Sequence, residues 1–338
     1  MAKKICLILL LIILLIPLAL MGQDTELSQF AGRAKVGTTG LQFLKIGVSA
    51  RAIGLGEAFT ALANDASALY YNPAGLTQLQ KGELFLSHLE WPADIRYEFI
   101  GFAYPVSDIG IFGVQAAMLT TGDMKRTLPY VGWTGEYFTA SDWLIGLSFA
   151  RMLTDKFSIG GNIKYIAEYL DNEHTQTWAV DFGTLFDIGV RGIKFGMCIV
   201  NFGPNAKYFA EEFSIPINFK FGFIVKVAEW ENHKIISMVE GAHPNDNLEQ
   251  IALGVEYTLG DWVALRTGYR HFIKSDELDK IVEFGGNRSV DIEEPLEGFS
   301  FGAGINVPLG PIKAKLDYSY SDMSYLNNAQ RFSLIFQF

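Results

Sequence analysis

The chain has 338 residues, with 27 basic against 37 acidic side chains, a net charge of −10 and an aromatic content of 14%. That acidic balance excludes a nucleic-acid binder, since phosphates demand a basic face. Two cysteines, Cys6 and Cys198, are too few for a disulfide scaffold.

The chain opens Met1-Ala2-Lys3-Lys4, runs apolar from Ile5 to about Leu20, and turns polar at Gln23 and Asp24. A basic start, a short apolar stretch and a small residue before the polar switch read as a secretory signal peptide over residues 1–22, cleaved after Gly22. Pro17 and Gly22 break the run at its end, which favours cleavage over an uncleaved anchor. No cysteine follows the run, so nothing marks a lipoprotein. Removing the leader takes Lys3 and Lys4 with it, leaving 25 basic against 37 acidic residues and Cys198 as the sole cysteine. An exported chain without a disulfide needs another brace, and a closed sheet provides one.

Residues 23–80 are rich in glycine and alanine and show little alternation, which predicts a partly helical hatch. Gly54 to Ala63 reads as helical. Asp65 is placed to cap a second short helix through Leu69. Pro73 suits the first position of a further turn through Ala74, Gly75 and Leu76, and holds Asn72 extended.

From Glu83 onward the period is two. Phe157, Ile159, Ile163 and Tyr165 alternate with Ser158, Asn162, Lys164 and Glu168. Ile312, Ala314, Leu316 and Tyr318 alternate with Lys313, Lys315, Asp317 and Ser319. One apolar and one polar face per strand, with no second long apolar run, predict an all-β fold over residues 81–338: a transmembrane up-and-down antiparallel barrel with its polar face inward. About fourteen strands follow, at 83–91, 95–105, 109–121, 137–152, 156–169, 175–188, 192–202, 215–228, 233–243, 247–259, 262–272, 297–307, 311–321 and 328–338. The first two carry large apolar residues on both faces, as strands packed on a hatch would. Connections after even strands are tight and several after odd strands are long, which places both ends of the mature chain in the periplasm. In the last strand Phe332, Leu334, Phe336 and Phe338 share a face. A terminal Phe there resembles the insertion signal read by the outer-membrane assembly machinery, so the chain is expected in the lipid of a bacterial outer membrane.

The stretch from Phe43 to Leu76 carries Arg51, Gly54, Gly56, Asp65-Ala66-Ser67 and Asn72-Pro73-Ala74-Gly75. It resembles the N-terminal signature of the PorV/PorQ family, which is related to long-chain fatty acid transporters of the FadL type. The resemblance implies a fourteen-stranded barrel whose N-terminal segment folds into the lumen as a hatch. Arg51 and Asp65 would then meet inward charges such as Glu168, Arg266, Arg270, Lys313, Lys315 or Asp317, because buried charges need partners. For function it implies one of two roles. A PorV-like member handles exported cargo in type IX protein secretion, with secretion-system proteins as partners. A FadL-like member takes up hydrophobic small molecules and lets them leave sideways through a kinked wall. A purely structural barrel is the third reading.

Nothing points to an enzyme. Gly54 and Gly56 lack the third glycine and preceding strand of a phosphate loop, so no cofactor is expected. None of the five histidines pairs with another or with a cysteine at a metal-ligand spacing. His88 and Glu90 lie two apart on one strand face but lack a nucleophile motif. Asn72 to Gly75 reads more plainly as a capped turn than as a latch, and the acidic stretch 276–294 as a solvated loop.

Overall fold

The computed structural model describes residues 37–91, 94–273, 298–322 and 328–338. The leader, the start of the hatch and the acidic loop 276–294 lie outside them. Alternating apolar residues give strands β1 (Glu83–Trp91), β2 (Ile95–Val106) and β3 (Gly110–Thr120), then a side hairpin of β4 (Met124–Leu128) and β5 (Gly132–Phe138). The wall resumes with β6 (Ala140–Thr154), β7 (Phe157–Leu170), β8 (Glu173–Asp187) and β9 (Lys194–Phe202). A second small hairpin, β10 (Ala206–Lys207) and β11 (Glu212–Phe213), interrupts it. It continues as β12 (Asn218–Trp230), β13 (His233–Pro244), β14 (Gln250–Leu259), β15 (Val263–Phe272), β16 (Phe299–Leu309), β17 (Ile312–Asp322) and β18 (Asn328–Gln337).

Fourteen of these form one closed antiparallel barrel in sequential order, sealed where β1 pairs with β18 from Glu83 opposite Gln337 to Glu90 opposite Gln330. Closure satisfies every strand edge, which is what allows a sheet to sit in hydrocarbon. The fourteen expected strands are all present, with ends moved by up to three residues. Two expected loops are not plain loops. The stretch 122–136 holds most of β4–β5, so the expected strand from 137 begins only at Ala140, and 203–214 holds β10–β11.

The outward faces are apolar and exposed: Trp143, Ile145, Leu147, Trp178, Phe182 and Phe301 are each more than two-fifths accessible. Phe332 and Phe338 project from the same face of β18 and are exposed; Leu334 and Phe336, between them, are half-buried. Such a continuous apolar skin is a membrane-facing surface. No helix among the described residues is long and apolar enough to cross a membrane, but a barrel crosses with its strands.

The inward faces correct the expectation of a polar lumen. Phe85, Leu89, Phe99, Leu144 and Ile166 point inward and are essentially inaccessible. Over β1, β2, β3 and β6 the wall is largely apolar inside because the hatch covers it, as Tyr70 on Phe99 (6.3 Å) illustrates. Buried charges lie on β13 to β17, with others at Lys164 and Asp181 of β7 and β8, Glu83 of β1 and Arg331 of β18.

The hatch also runs in an unexpected direction. Gly37 donates its N–H to the Asp246 carbonyl, and Thr39 bridges to Ser214, both on connections at the end away from the tight turns. Gly82, 45 positions later, accepts from the N–H of Phe338 at the end with the tight turns. Between them the segment threads the lumen from the loop end to the turn end. Residue 37 therefore sits at the end opposite the C-terminus; the start of the mature chain, which the strand count placed in the periplasm, lies outside the described residues.

Candidate functional site

The hatch has little regular structure. Its helical turns are Gln42–Lys45, Ala50–Ile53, Ala68–Tyr71 and Pro73–Gln78. The helix expected over Gly54 to Ala63 is absent, because Gly56 and Glu57 take left-handed φ of 66° and 65° and stop the turn that starts at Ala50. Ser49 caps that turn through Ala52 N–H. Asp65 does not cap a helix through Leu69. The helix starts at Ala68, and Asp65 Oδ1 accepts from Ser67 N–H (3.0 Å). The turn at Pro73 is as expected: Asn72 is extended and its Oδ1 accepts from Ala74 N–H at 3.1 Å.

Sparse helix leaves many peptide groups to be satisfied by the wall. Glu240 accepts from both Phe59 N–H (2.8 Å) and Thr60 N–H (2.7 Å). Glu83 accepts from Ala66 N–H at 2.8 Å. Asn72 Nδ2 donates to the Thr60 carbonyl and, across the lumen, to that of Thr184. Small residues let the hatch touch the wall. A Cβ on Gly54 would lie 2.9 Å from Gly302 Cα, and one on Gly56 would lie 2.9 Å from the Tyr269 nitrogen.

At mid-height sits a chain of five charges. Arg51 grips Glu256 with two hydrogen bonds of 2.9 Å and reaches Asp65 Oδ2 at 3.0 Å. Glu256 also accepts from Arg266 Nε (2.7 Å), and Arg266 Nη1 reaches Asp317 (2.5 Å). Arg51 is thus tied to Asp65 and to Glu256. None of the wall charges first considered for it touches it directly, and Arg266 joins only through Glu256. Arg270 pairs with the hatch acid Glu57 at 2.7 Å. Lys164 pairs with Asp181 (2.7 Å), and Glu168 accepts from the Tyr208 hydroxyl (2.5 Å). Lys315 is half-buried and Lys313 exposed at the turn end, with no hatch residue among the hydrogen bonds of either in the described residues.

At the loop end Asp246 collects Thr39 Oγ1 (2.5 Å), Lys45 Nζ (2.9 Å) and Gln42 Nε2 (3.2 Å). Burial raises its carboxyl pKa, but these donors outweigh burial and hold it below its ordinary value. Burial likewise pushes the Tyr71 hydroxyl up; it accepts from Ser49 N–H and stays protonated.

One cation departs from this pattern. Arg331 on β18 points inward and is 5% exposed, yet its Nε has no partner and no ion pair among the described residues includes it. Glu57, Tyr70, Tyr71 and Tyr97 lie within electrostatic range, and the rungs beside it are Leu89 and Ser319. Sequence alternation missed Arg331, Glu256, Glu240, Glu83, Asp181 and Asp246 as site residues. Glu256 and Arg331 did carry a signal, each lying on the polar face of its strand. Outside the lumen, His88 pairs across the hairpin with Glu98 (2.7 Å) rather than with Glu90 along the strand. No group of three metal-ligating side chains occurs among the described residues.

Three solved structures share this architecture: the CymD monoaromatic hydrocarbon channel (TM-score 0.56, 12% identity, 86% of this chain and 96% of that one), a Pseudomonas aeruginosa FadL homologue (0.54, 11%, 86% and 98%) and the Pseudomonas putida toluene transporter TodX (0.52, 11%, 80% and 92%). The chain has the fold of the FadL-type channels. It is a β-barrel of the outer-membrane type, with residues 37–82 inside its lumen. Residues 24–167 match the family described as Uncharacterised protein family (UPF0164). A relative named UPF0164 protein, from Treponema pallidum (strain Nichols), is 34% identical over 112 residues, which span 31% of this chain and 26% of the relative. The chain thus matches about a quarter of that relative's length. These sequence matches bear the UPF0164 description and not the PorV/PorQ name.

Proposed function

We propose that this protein is a FadL-like outer-membrane channel that takes up hydrophobic small molecules into the lumen beside its hatch. The observation that carries the reading is the inward face of β1 and β2: buried Phe85, Leu89, Tyr97 and Phe99 lie near a guanidinium, Arg331, with no partner for its Nε. An apolar face with one convergent polar group, bared when the hatch that covers it moves, is the usual lining of a small-molecule site. The fold likeness to channels titled for monoaromatic hydrocarbons and toluene supports the same class of solute. The secretion reading draws no support from these likenesses.

The hatch closes the turn end, where Thr77 bonds to Ser158 and Gln78 to Lys194. A solute must then displace the hatch or leave sideways. Two of the wall's register shifts, at Met152/Thr154 and Lys226/Ala228, lie near tight turns. The third is mid-wall, where Val200 and Asn201 of β9 face Asp181 of β8 alone. We place the sideways exit there.

The test is uptake of labelled toluene and of a labelled long-chain fatty acid by cells stripped of other hydrophobic-solute channels. The wild-type protein is expected to raise uptake at least tenfold over empty vector. Arg331→Leu should depress uptake of the acid much more than that of toluene. Uptake equal to the vector for both solutes would end the channel reading.

A further inference from the structure

Among the described residues, the apolar outer skin is interrupted on β1 and β2. On β1 and β2, His88 stands opposite Glu98, and His88 Nδ1 lies 2.7 Å from Glu98 Oε1. The next outward rung toward the loop end pairs Glu90 with Arg96. The His88–Glu98 row is otherwise apolar: Met118 and Trp143 continue it on one side, Phe332 and Tyr318 on the other. Ionisable groups on a lipid-facing wall are costly and mark a function more often than chance.

Beside this pair lies a groove of about 660 Å³. Its apolar floor is Leu86, Ile100 and Leu334, and Ala116 leaves room that Phe332 and Trp143 bound. The pairings of β1 with β18, β1 with β2, β2 with β3 and β17 with β18 run through it without a register shift. The groove is therefore a depression in an intact wall, separate from the lumen, and the inference stands whether or not the lumen conducts.

We propose that this groove binds one zwitterionic phospholipid of the phosphatidylethanolamine type. An amphipathic lipid fits the polarity of the site, which is apolar toward the turn end and charged toward the loop end. The charged end holds both signs. Glu98 and Glu90 receive the ammonium, while Arg96 and the imidazole of His88 receive the phosphate. Successive outward rungs stand about 7 Å apart, on the scale of a phosphoethanolamine head. An anionic headgroup would leave the two carboxylates facing it without a counter-charge.

The experiment is native mass spectrometry of the full-length protein, released from nanodiscs holding equal phosphatidylethanolamine and phosphatidylglycerol of identical chains. The wild type is expected to retain one phosphatidylethanolamine, at least fivefold over phosphatidylglycerol. Ala116→Trp, which fills the groove, and Arg96→Ala with Glu98→Ala, which removes the head site, should each cut retention at least fivefold. Ala116→Ser and Arg331→Leu should retain it, and heat-modified migration on gels shows which variants are folded. Equal retention of both lipids, or retention unchanged in folded Ala116→Trp, overturns the proposal. A lipid-free wild-type dimer that Ala116→Trp dissociates would assign the groove to a second copy and overturn it equally.

Discussion

Arg51 and Arg331 are both buried cations in one lumen, and their surroundings predict opposite responses to substitution. Arg51 has two carboxylates and the Asn64 side chain as partners. Removing it leaves Asp65 without its cation and Glu256 with Arg266 alone in a dry interior, so Arg51→Met should cost about 3–5 kcal/mol. Arg331 has no ion-pair partner to strand, and Arg331→Met should leave stability unchanged or raised. Urea titration of the two variants refolded into lipid vesicles separates them; equal losses would show that the difference in pairing is not real. Asp246 yields a pH dependence. Its folded pKa is depressed, so its stabilising contribution is present above the unfolded value of about 4 and disappears as pH falls through the lower folded value. Protection of the Gly40, Leu44 and Ile46 amides against hydrogen exchange should hold from pH 7 to about 4 and then fall. Asp246→Asn should lower protection at neutral pH and flatten the profile; an unchanged profile would rule out Asp246 as the tether.

The elements differ in how far the sequence declared them. Strand alternation is local, and Ile163, Tyr165, Asn162 and Lys164 reveal their faces without reference to any other strand. The hatch offers no such period. Its turns end where Gly56 and Glu57 go left-handed, and its peptide groups are bonded by wall residues such as Glu240, about 180 positions away. No short-range pattern could locate a helix end set by a distant carboxylate. The hairpin β10–β11 was hidden for the same reason: from another strand, β8, the Thr175 hydroxyl donates to the Lys207 carbonyl and that of Thr177 to the Pro204 carbonyl. The packing of Gly54 on Gly302 makes a prediction for the element it belongs to. Gly54→Val should wedge the Ala50–Ile53 turn off β16 at a cost of about 1–3 kcal/mol. In planar bilayers it should also produce frequent conductance steps that the wild type lacks; a silent, fully stable variant would mean the contact is slack.

At the scale of the whole molecule, the strand count and closure followed from periodicity and turn lengths. Which residues meet inside did not. Arg51 and Glu256 are 205 positions apart and come together only because the sheet closes around the hatch. The direction of threading was also illegible, because residues 37–82 carry no marker of which end of the barrel they enter. That path, from the long loops to the tight turns through a filled lumen, is the claim on which the site, its apolar face and its tether all depend. Single cysteines at Thr38 and Lys81, both exposed positions, test it with a membrane-impermeant maleimide on intact cells, the buried Cys198 being silent. The account predicts that Thr38→Cys is labelled from outside and that Lys81→Cys is labelled only after the outer membrane is opened. Labelling of Lys81→Cys on intact cells with Thr38→Cys protected would contradict it.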